Sequence, residues 1–388
     1  MKAGHFAIDF SLHSETFIYD YIRGQKEAGI DARVVTLNRV NADERPFPDV
    51  HVVDRPGRWN LRRLGRRLEA WRQGDPACTA AWPQVRQGLE SYLASVRPNV
   101  VHAHFGPAAA LIGPVTEALG CPLVVTFYGN DVSSLPRRTF WRTKYQELWS
   151  QADAVTVLSE EMKETVAGLG ASERQLKIVH LSRDLEHFPY RHPRRSVKHV
   201  LFVGRLTPKK APLDAIKAVE KANRRGAGLT LHMIGEGALR DGAEQYVEEN
   251  QLGESVVLHG RVPNEEVGRW MREAQAFLLP SKTAPDGDRE GTPTVLVEAQ
   301  ASGLPCVSTR HAGIPEMIPQ ENHDLLVEEG DVTALSEVLT GLSTSSVEDL
   351  QERANEGRRK VEEEFSLESE VGKLVSLYQS LGFSKKVQ

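Results

Sequence analysis

Residues 286–317 read DGDREGTPTVLVEAQASGLPCVSTRHAGIPEM, and the reading of this stretch organises the rest of the chain. Gly291-Thr292-Pro293 predicts a helix start. A threonine hydroxyl at position 292 suits the capping of free amides, and Pro293 suits the first helical position, where its fixed φ helps and its missing N–H costs little. Val295, Leu296 and Ala299 continue the helix until Gly303-Leu304-Pro305 stops it. Glu290 then lies in the loop ahead of the helix. Glu298 lies inside it, roughly 7.5 Å along the axis from Pro293 at about 1.5 Å per residue.

Free amides and the positive end of the helix dipole favour an anion at the N-terminus, a diphosphate included. A carboxylate on either side of that point accepts hydrogen bonds from hydroxyls. A nucleotide sugar presents its groups in the same order: sugar hydroxyls, diphosphate, ribose hydroxyls. Two glutamates eight apart also arise by chance in a Glu-rich chain, so the context decides.

That context is an ordered set of motifs. Glu290-GTPTVLV-Glu298 is followed by AQASGLPCVST and by Gly313-Ile314-Pro315-Glu316. Upstream stand SETF at 14–17, HAHFG at 102–106, TFYGND at 126–131, VGRLTPKK at 203–210 and IGEGALR at 234–240. The set resembles the retaining glycosyltransferases of family 4, and within them the enzymes of exopolysaccharide and lipopolysaccharide biosynthesis. The resemblance spans most of the chain in the family's order. It implies an α/β GT-B fold: two Rossmann-like doubly wound domains facing across a cleft, with a C-terminal helix crossing back to the first.

Composition agrees with a two-domain globular protein. The 388 residues suffice for two α/β cores, and 40% hydrophobic with 26% charged residues is ordinary for such chains. No apolar run nears the ~20 residues that span a bilayer, and the N-terminus shows no signal-peptide pattern. Cys78, Cys121 and Cys306 show no C-x-x-C spacing, which speaks for a reducing compartment without a disulfide framework or zinc site. The expected location is the cytoplasm, or the inner face of the cell membrane as a peripheral protein. The net charge of −5 conceals an asymmetry: residues 1–195 carry 26 Lys and Arg against 22 Asp and Glu, whereas the remainder carries 22 against 31. A basic first half fits surface binding.

Along the chain, 3–9 reads as a first strand and 32–37 and 49–53 as further ones. Ser14-Glu15-Thr16 stands where the family often has a glycine-rich loop, so Glu15 and Thr16 are either polar acceptor contacts or ordinary helix-capping residues. Residues 55–72 carry seven arginines and one glutamate, with Leu61, Leu64, Leu68 and Trp71 at helical spacing. With PRRTFWRTKYQELW at 136–149, this stretch reads as a patch for an anionic membrane surface through Arg58, Arg62, Arg63, Arg66, Arg67 and Trp71; the alternative is a core stripe with a solvated arginine face. Nucleic acid fits poorly, because the overall charge is acidic and no recognition motif is present. His102 and His104 share one face of strand 99–105 and lack a third metal ligand nearby; His102 reads as structural, whereas His104 is expected to face the ligand cleft. Tyr128 stands where the family usually has histidine, and Asn130 and Asp131 are candidates for sugar or acceptor contact or for a capping turn. Asp184 matches a family glycine-valine-aspartate segment from which the glycine is missing. The polar, proline-bearing 189–198 reads as the linker, giving domains 1–190 and 191–365 and a terminal helix, 366–388, packing back on the first.

In the second half, Arg205 and Lys210 resemble the family's cation pair for the donor diphosphate, with Lys209 a competitor for the second place. Gly235-Glu236-Gly237 lacks the third glycine of a dinucleotide fingerprint, and Gly235 is expected to let the backbone approach a nucleotide. Asp286-Gly287-Asp288 resembles the D-x-D metal motif of the other major glycosyltransferase fold. Two cations and a helix N-terminus already neutralise a diphosphate, so neither metal nor other cofactor is expected.

The combined expectation is a retaining transferase moving a sugar from a UDP- or GDP-sugar donor to a hydroxyl of a saccharide acceptor, lipid-linked, in cell-surface polysaccharide biosynthesis. Glu290, Arg205, Lys210 and His104 are the expected catalytic residues. Glu298, Thr294, Val295, Gly291, Thr292 and Gly235 would hold the donor, and Glu15, Thr16, Tyr128, Asn130 and Asp131 the acceptor or sugar. The alternatives are a nucleotide-sugar epimerase of the same fold and a non-catalytic sugar-nucleotide or membrane-binding protein.

Overall fold

The computed structural model describes residues 1–12, 15–54 and 77–384, which form two compact units: 1–179 with the chain from 367 onward, and 180–366. Ser14 and the arginine-rich patch of 58–71 lie outside the described residues.

The first unit is built on seven parallel strands: β1 (Lys2–Phe10), β2 (Asp31–Arg39), β3 (Val50–Val52), β4 (Val100–His104), β5 (Leu123–Thr126), β6 (Ala154–Val157) and β7 (Leu176–Ile178). Their order is β3-β2-β1-β4-β5-β6-β7. The second has six, β8 (His199–Val203), β9 (Thr230–Ile234), β10 (Val256–Gly260), β11 (Ala276–Leu279), β12 (Cys306–Thr309) and β13 (Leu326–Val327), in the order β10-β9-β8-β11-β12-β13. Both are doubly wound sheets whose strand order reverses beside the first strand, which makes a crevice at its C-terminal end. Short β-branched and apolar runs suit this architecture because helices cover both faces: every residue of β5 (LVVT) and β11 (AFLL) is buried.

The unit boundary corrects the expected linker. Residues 180–198 belong to the second unit, not between the two: the Arg183 amide donates to Phe365 O, the Arg191 amide to Ser302 O, and Tyr190 OH bonds the Asn355 side chain. Proline and charge mark this segment as irregular, but irregular backbone packs readily where its polar groups find partners. The helix Leu367–Ser384 joins the first unit, seating Leu367, Val371, Leu374 and Tyr378 in the core with Ile18, Tyr21 and Ile22 of helix Thr16–Glu27.

Tyr378 also closes a buried polar cluster. Its hydroxyl lies 2.5 Å from His102 Nδ1, and His102 Nε2 lies 2.5 Å from Thr126 Oγ1. Beside it runs a chain from Gln25 Oε1 to His5 Nε2 (3.1 Å), His5 Nδ1 to His104 Nε2 (3.2 Å) and His104 Nδ1 to Tyr128 OH (2.7 Å). This corrects two expectations. His104 does not face open space, since it is buried and both its nitrogens are engaged. A third imidazole does stand nearby: His5, brought from β1, completes a group whose ligand atoms lie within 4.8 Å of one another. The ring nitrogens of all three are bonded to partners, and His102 and His104 stack at 4.4 Å between centroids. Burial disfavours the imidazolium form throughout, pushing His5 down to about 4 and His102 and His104 well below their ordinary value.

A histidine whose folded pKa is depressed binds its proton more weakly in the native state than when unfolded, so the native state loses stability as pH falls between those two values. For His5 the window runs from the unfolded 6.5 down to about 4, a loss of about 3 kcal/mol. Urea unfolding of the first unit is expected to shift to lower denaturant between pH 6.5 and 4, with a shallower pH slope in His5→Gln. An unchanged slope in that variant would place His5 outside the titrating set.

Candidate functional site

The strand order of the second unit brings the loops leaving β8 and β11 side by side, and the charged groups of the site stand on them. After β8, Gly204-Arg205-Leu206-Thr207 enters a 3-10 turn, Pro208–Lys210. This loop is locked to the one after β9. The Leu206 amide donates to Glu236 O, the Leu239 amide to Leu206 O, and a Cβ at Gly235 (φ +142°) would sit 1.9 Å from Gly204 O. Gly235 is thus needed for close approach, but the backbone it meets is that of the neighbouring loop.

The turn sets the two lysines on different carboxylates. Lys210 Nζ lies 2.9 Å from Glu290 Oε1, whereas Lys209 Nζ lies 3.1 Å from Asp288 Oδ2 and also reaches Arg289 O. Burial alone would raise the Glu290 pKa; the ammonium groups of Lys210 and Lys209 outweigh it and hold the carboxyl below its usual value. Glu290 is therefore ionised at neutral pH and is an acceptor only. Asp288, one carboxylate of the D-x-D pattern, is committed to Lys209, while Asp286 Oδ1 accepts the Asp288 amide. Arg205 is exposed, and no described residue binds its side chain. The expected cation pair is thus uneven: Lys210 is preorganised against Glu290, and Arg205 is not.

The helix following Glu290 runs over Thr294–Ala301, with Pro293 at the N-cap. This corrects the expected start by one residue and removes Thr292 as the cap: its hydroxyl is buried with no hydrogen-bond partner among the described residues, as is that of Thr207. Among the described residues, the amides of Gly291, Thr292, Thr294 and Val295 likewise donate to no protein acceptor. Buried hydroxyls without partners are rare in native structures, whereas the first amides of a helix are ordinarily left open and give its N-terminus a preference for an anion. The helix ends as read, at Gly303 (φ +89°), where a Cβ would fall 2.3 Å from Arg191 O. Glu298 is buried with Oε1 2.8 Å from Arg183 Nε, a partner the sequence did not indicate.

Two further residues went unread. His311, fully buried, accepts the Glu290 amide at Nε2 (3.0 Å) and bonds Glu329 Oε1 through Nδ1 (2.6 Å). His311 lies inside the quoted stretch, and its position just before Ala312-Gly313 was the available signal.

In the first unit, Asp131 serves the capping alternative. Its carboxylate accepts the amides of Tyr128, Gly129 and Gly106 at 2.9–3.1 Å, bonds that oppose the upward pull of burial on its pKa. Asn130 is exposed at the start of the short helix Asn130–Ser133. Glu15 and Thr16 open the helix Thr16–Glu27, and Phe17 packs on Tyr128 with centroids 4.8 Å apart. Burial raises the Tyr128 phenol well above its ordinary pKa, so it remains a neutral donor toward His104. A basic cavity of about 640 Å³, lined by Arg191, Arg194, Arg195 and Arg272, lies at the opposite, N-terminal ends of β8, β11 and β12. Among the described residues no helix is long and apolar enough to cross a membrane.

Two domain models match the chain: "Glycosyl transferase 4-like domain" over residues 14–182 and "Glycosyl transferases group 1" over 180–361. WcaL of Escherichia coli, named for glycosyl transfer in colanic acid biosynthesis, is 28% identical, with 98% of this chain and 100% of that protein covered. AmsK of Erwinia amylovora, an amylovoran biosynthesis glycosyltransferase, is 29% identical over 94% of this chain and 96% of its own. The crystal structure of Anabaena HepE in complex with UDP and glucose shares the fold at a TM-score of 0.74 and 16% identity, covering 98% of this chain and 100% of its own. With two such domain models meeting where its two units meet, and with both units doubly wound, the chain belongs to the glycosyltransferases of the GT-B fold that combine a 4-like domain with a group 1 domain.

Proposed function

We propose that the chain transfers a sugar, with retention, from a UDP- or GDP-sugar to a hydroxyl of a lipid-linked saccharide in the biosynthesis of a cell-surface polysaccharide. The observation that carries this reading is the buried Lys210–Glu290 pair beside the open amides of Gly291, Thr292, Thr294 and Val295. An ionised acceptor, a cation and unpartnered donors at one helix start suit a sugar joined to a diphosphate. The exopolysaccharide context comes from the WcaL and AmsK names, and the complex of HepE with UDP and glucose supports a nucleotide-sugar donor.

In this reading the diphosphate sits on the amides of Thr294 and Val295. Lys210 keeps Glu290 and still has protons to donate to a phosphate oxygen. The bond from the sugar's anomeric carbon to the diphosphate breaks with its electron pair leaving on the phosphate oxygen. The acceptor hydroxyl oxygen bonds that carbon from the same face, and its proton passes to the departing phosphate. Lys210, the amides and the exposed guanidinium of Arg205 stabilise the charge gathering on the diphosphate. Glu290 holds the donor sugar's hydroxyls, and Glu298, beside Arg183, holds the ribose.

Three measurements test this. Glu290→Gln should stay folded with a lowered thermal midpoint, since Lys210 loses its counter-charge, and among the folded molecules lose at least about a hundredfold in transfer; near-wild-type turnover removes Glu290 from the site. Because lysine, arginine and backbone amides supply the positive charge, transfer should survive EDTA, and loss of activity restored by Mg²⁺ or Mn²⁺ would overturn the metal-independent mechanism. The basic patch should carry the protein onto anionic liposomes in flotation assays, and Arg62/Arg63/Arg66/Arg67→Glu should leave it in the aqueous fraction. Equal flotation of the variant ends the membrane assignment.

A further inference from the structure

The loop from β11 to the helix Thr294–Ala301 carries Glu290, and a loop of that length does not fix a carboxylate by itself. Two side chains from elsewhere in the fold hold it at both ends. The Glu290 amide donates to His311 Nε2 at 3.0 Å. A backbone N–H only donates, so Nε2 is unprotonated and the ring proton sits on Nδ1, where Glu329 Oε1 accepts it at 2.6 Å. The other Glu329 oxygen accepts the Thr283 amide at 2.8 Å, and the Thr283 hydroxyl reaches Oε1 at 3.4 Å. Burial would raise the Glu329 pKa, but the Thr283 amide and His311 outweigh it, so this carboxylate is held below its usual value. One ring and one carboxylate thus span the loop from residue 283 to residue 290.

The backbone is strained where it presents the ring. Ala312, directly after His311, has φ +46°, a left-handed conformation disfavoured for a non-glycine residue. His311 itself is fully buried.

We propose that His311 and Glu329 are positioning residues that fix the Glu290 backbone so that its carboxylate meets Lys210 and the amides following it stay open to the donor. This rests on Glu290 acting on the donor sugar, as proposed above. The imidazole consumes the one amide at position 290 that would otherwise compete for the anion and sets the direction in which the chain leaves toward Gly291 and Thr292. A tilt of the loop displaces the carboxylate, and displacements near 1 Å cost about a hundredfold in well-organised sites.

The discriminating variants are His311→Leu, which fills the space without an acceptor, and His311→Gln, whose amide oxygen can take the Glu290 N–H. Sugar transfer, donor KM, thermal midpoint and hydrogen exchange at the Glu290 amide are measured on the full chain. The expected result is a tenfold to hundredfold fall in kcat for His311→Leu with donor KM changed less than about threefold, loss of protection at the Glu290 amide, and recovery of both in His311→Gln. Glu329→Gln should fall between them. Wild-type kcat in His311→Leu, or equal losses in the leucine and glutamine variants that track their thermal midpoints, would overturn the proposal. The exchange measurement needs no substrate: a Glu290 amide still protected in His311→Leu overturns the contact, whereas lost protection together with undiminished transfer in Glu290→Gln upholds the contact and overturns the role given to Glu290.

Discussion

A buried ion pair is costly unless its geometry is good and its remaining polar atoms are bonded, and the second unit of this protein is arranged to meet that condition for Lys210 and Glu290. The pair joins the loop after β8 to the loop after β11, which neighbour one another only because the strand order reverses there. Around it, Gly235 lets the β9 loop brace the lysine's loop, Ser281 faces the same carboxylate oxygen, and His311 takes up the Glu290 amide. Without the lysine, Glu290 would stand buried and uncompensated; without the carboxylate, the lysine would have no reason to lie along the crevice. The open amides and hydroxyls beside the pair then remain as the unsatisfied part of the arrangement.

The two units share a sheet order and fill their switch points with opposite chemistry. In the first, β1 and β4 bring His5, His102 and His104 into a desolvated cluster that stays neutral and passes hydrogen bonds between Gln25, Tyr128, Thr126 and Tyr378. In the second, β8 and β11 bring charged side chains and free donors together. A neutral cluster whose ring nitrogens are all bonded offers an anion no charge to bind. A charged, undersaturated one favours the diphosphate of a donor. That difference is the reason the donor site is proposed on the second unit.

The sequence by itself determined the fold and pointed to the stretch that carries the candidate site. Short buried strands alternating with helices dictate parallel doubly wound sheets, because only helices on both faces hide such runs. The stretch 286–317 announced the helix, its stop at Gly303 and the pair of glutamates, since capping and termination depend on a few adjacent residues. Local signals also had limits: Thr292 looked like a cap, yet the helix begins at Thr294 and leaves that hydroxyl bare.

Tertiary structure alone decided which groups meet. His311 reaches Glu290 across 21 positions, Arg183 reaches Glu298 from the start of the second unit, and His5 reaches His104 across 99. It also assigned Asp131 to three backbone amides, withdrew His104 into the core and attached 180–198 to the second unit. Periodicity and capping are properties of neighbouring residues and survive in a one-dimensional reading. The partners of a buried polar atom are set by which strands lie adjacent and in what register, and those relations exist only once the sheets have formed.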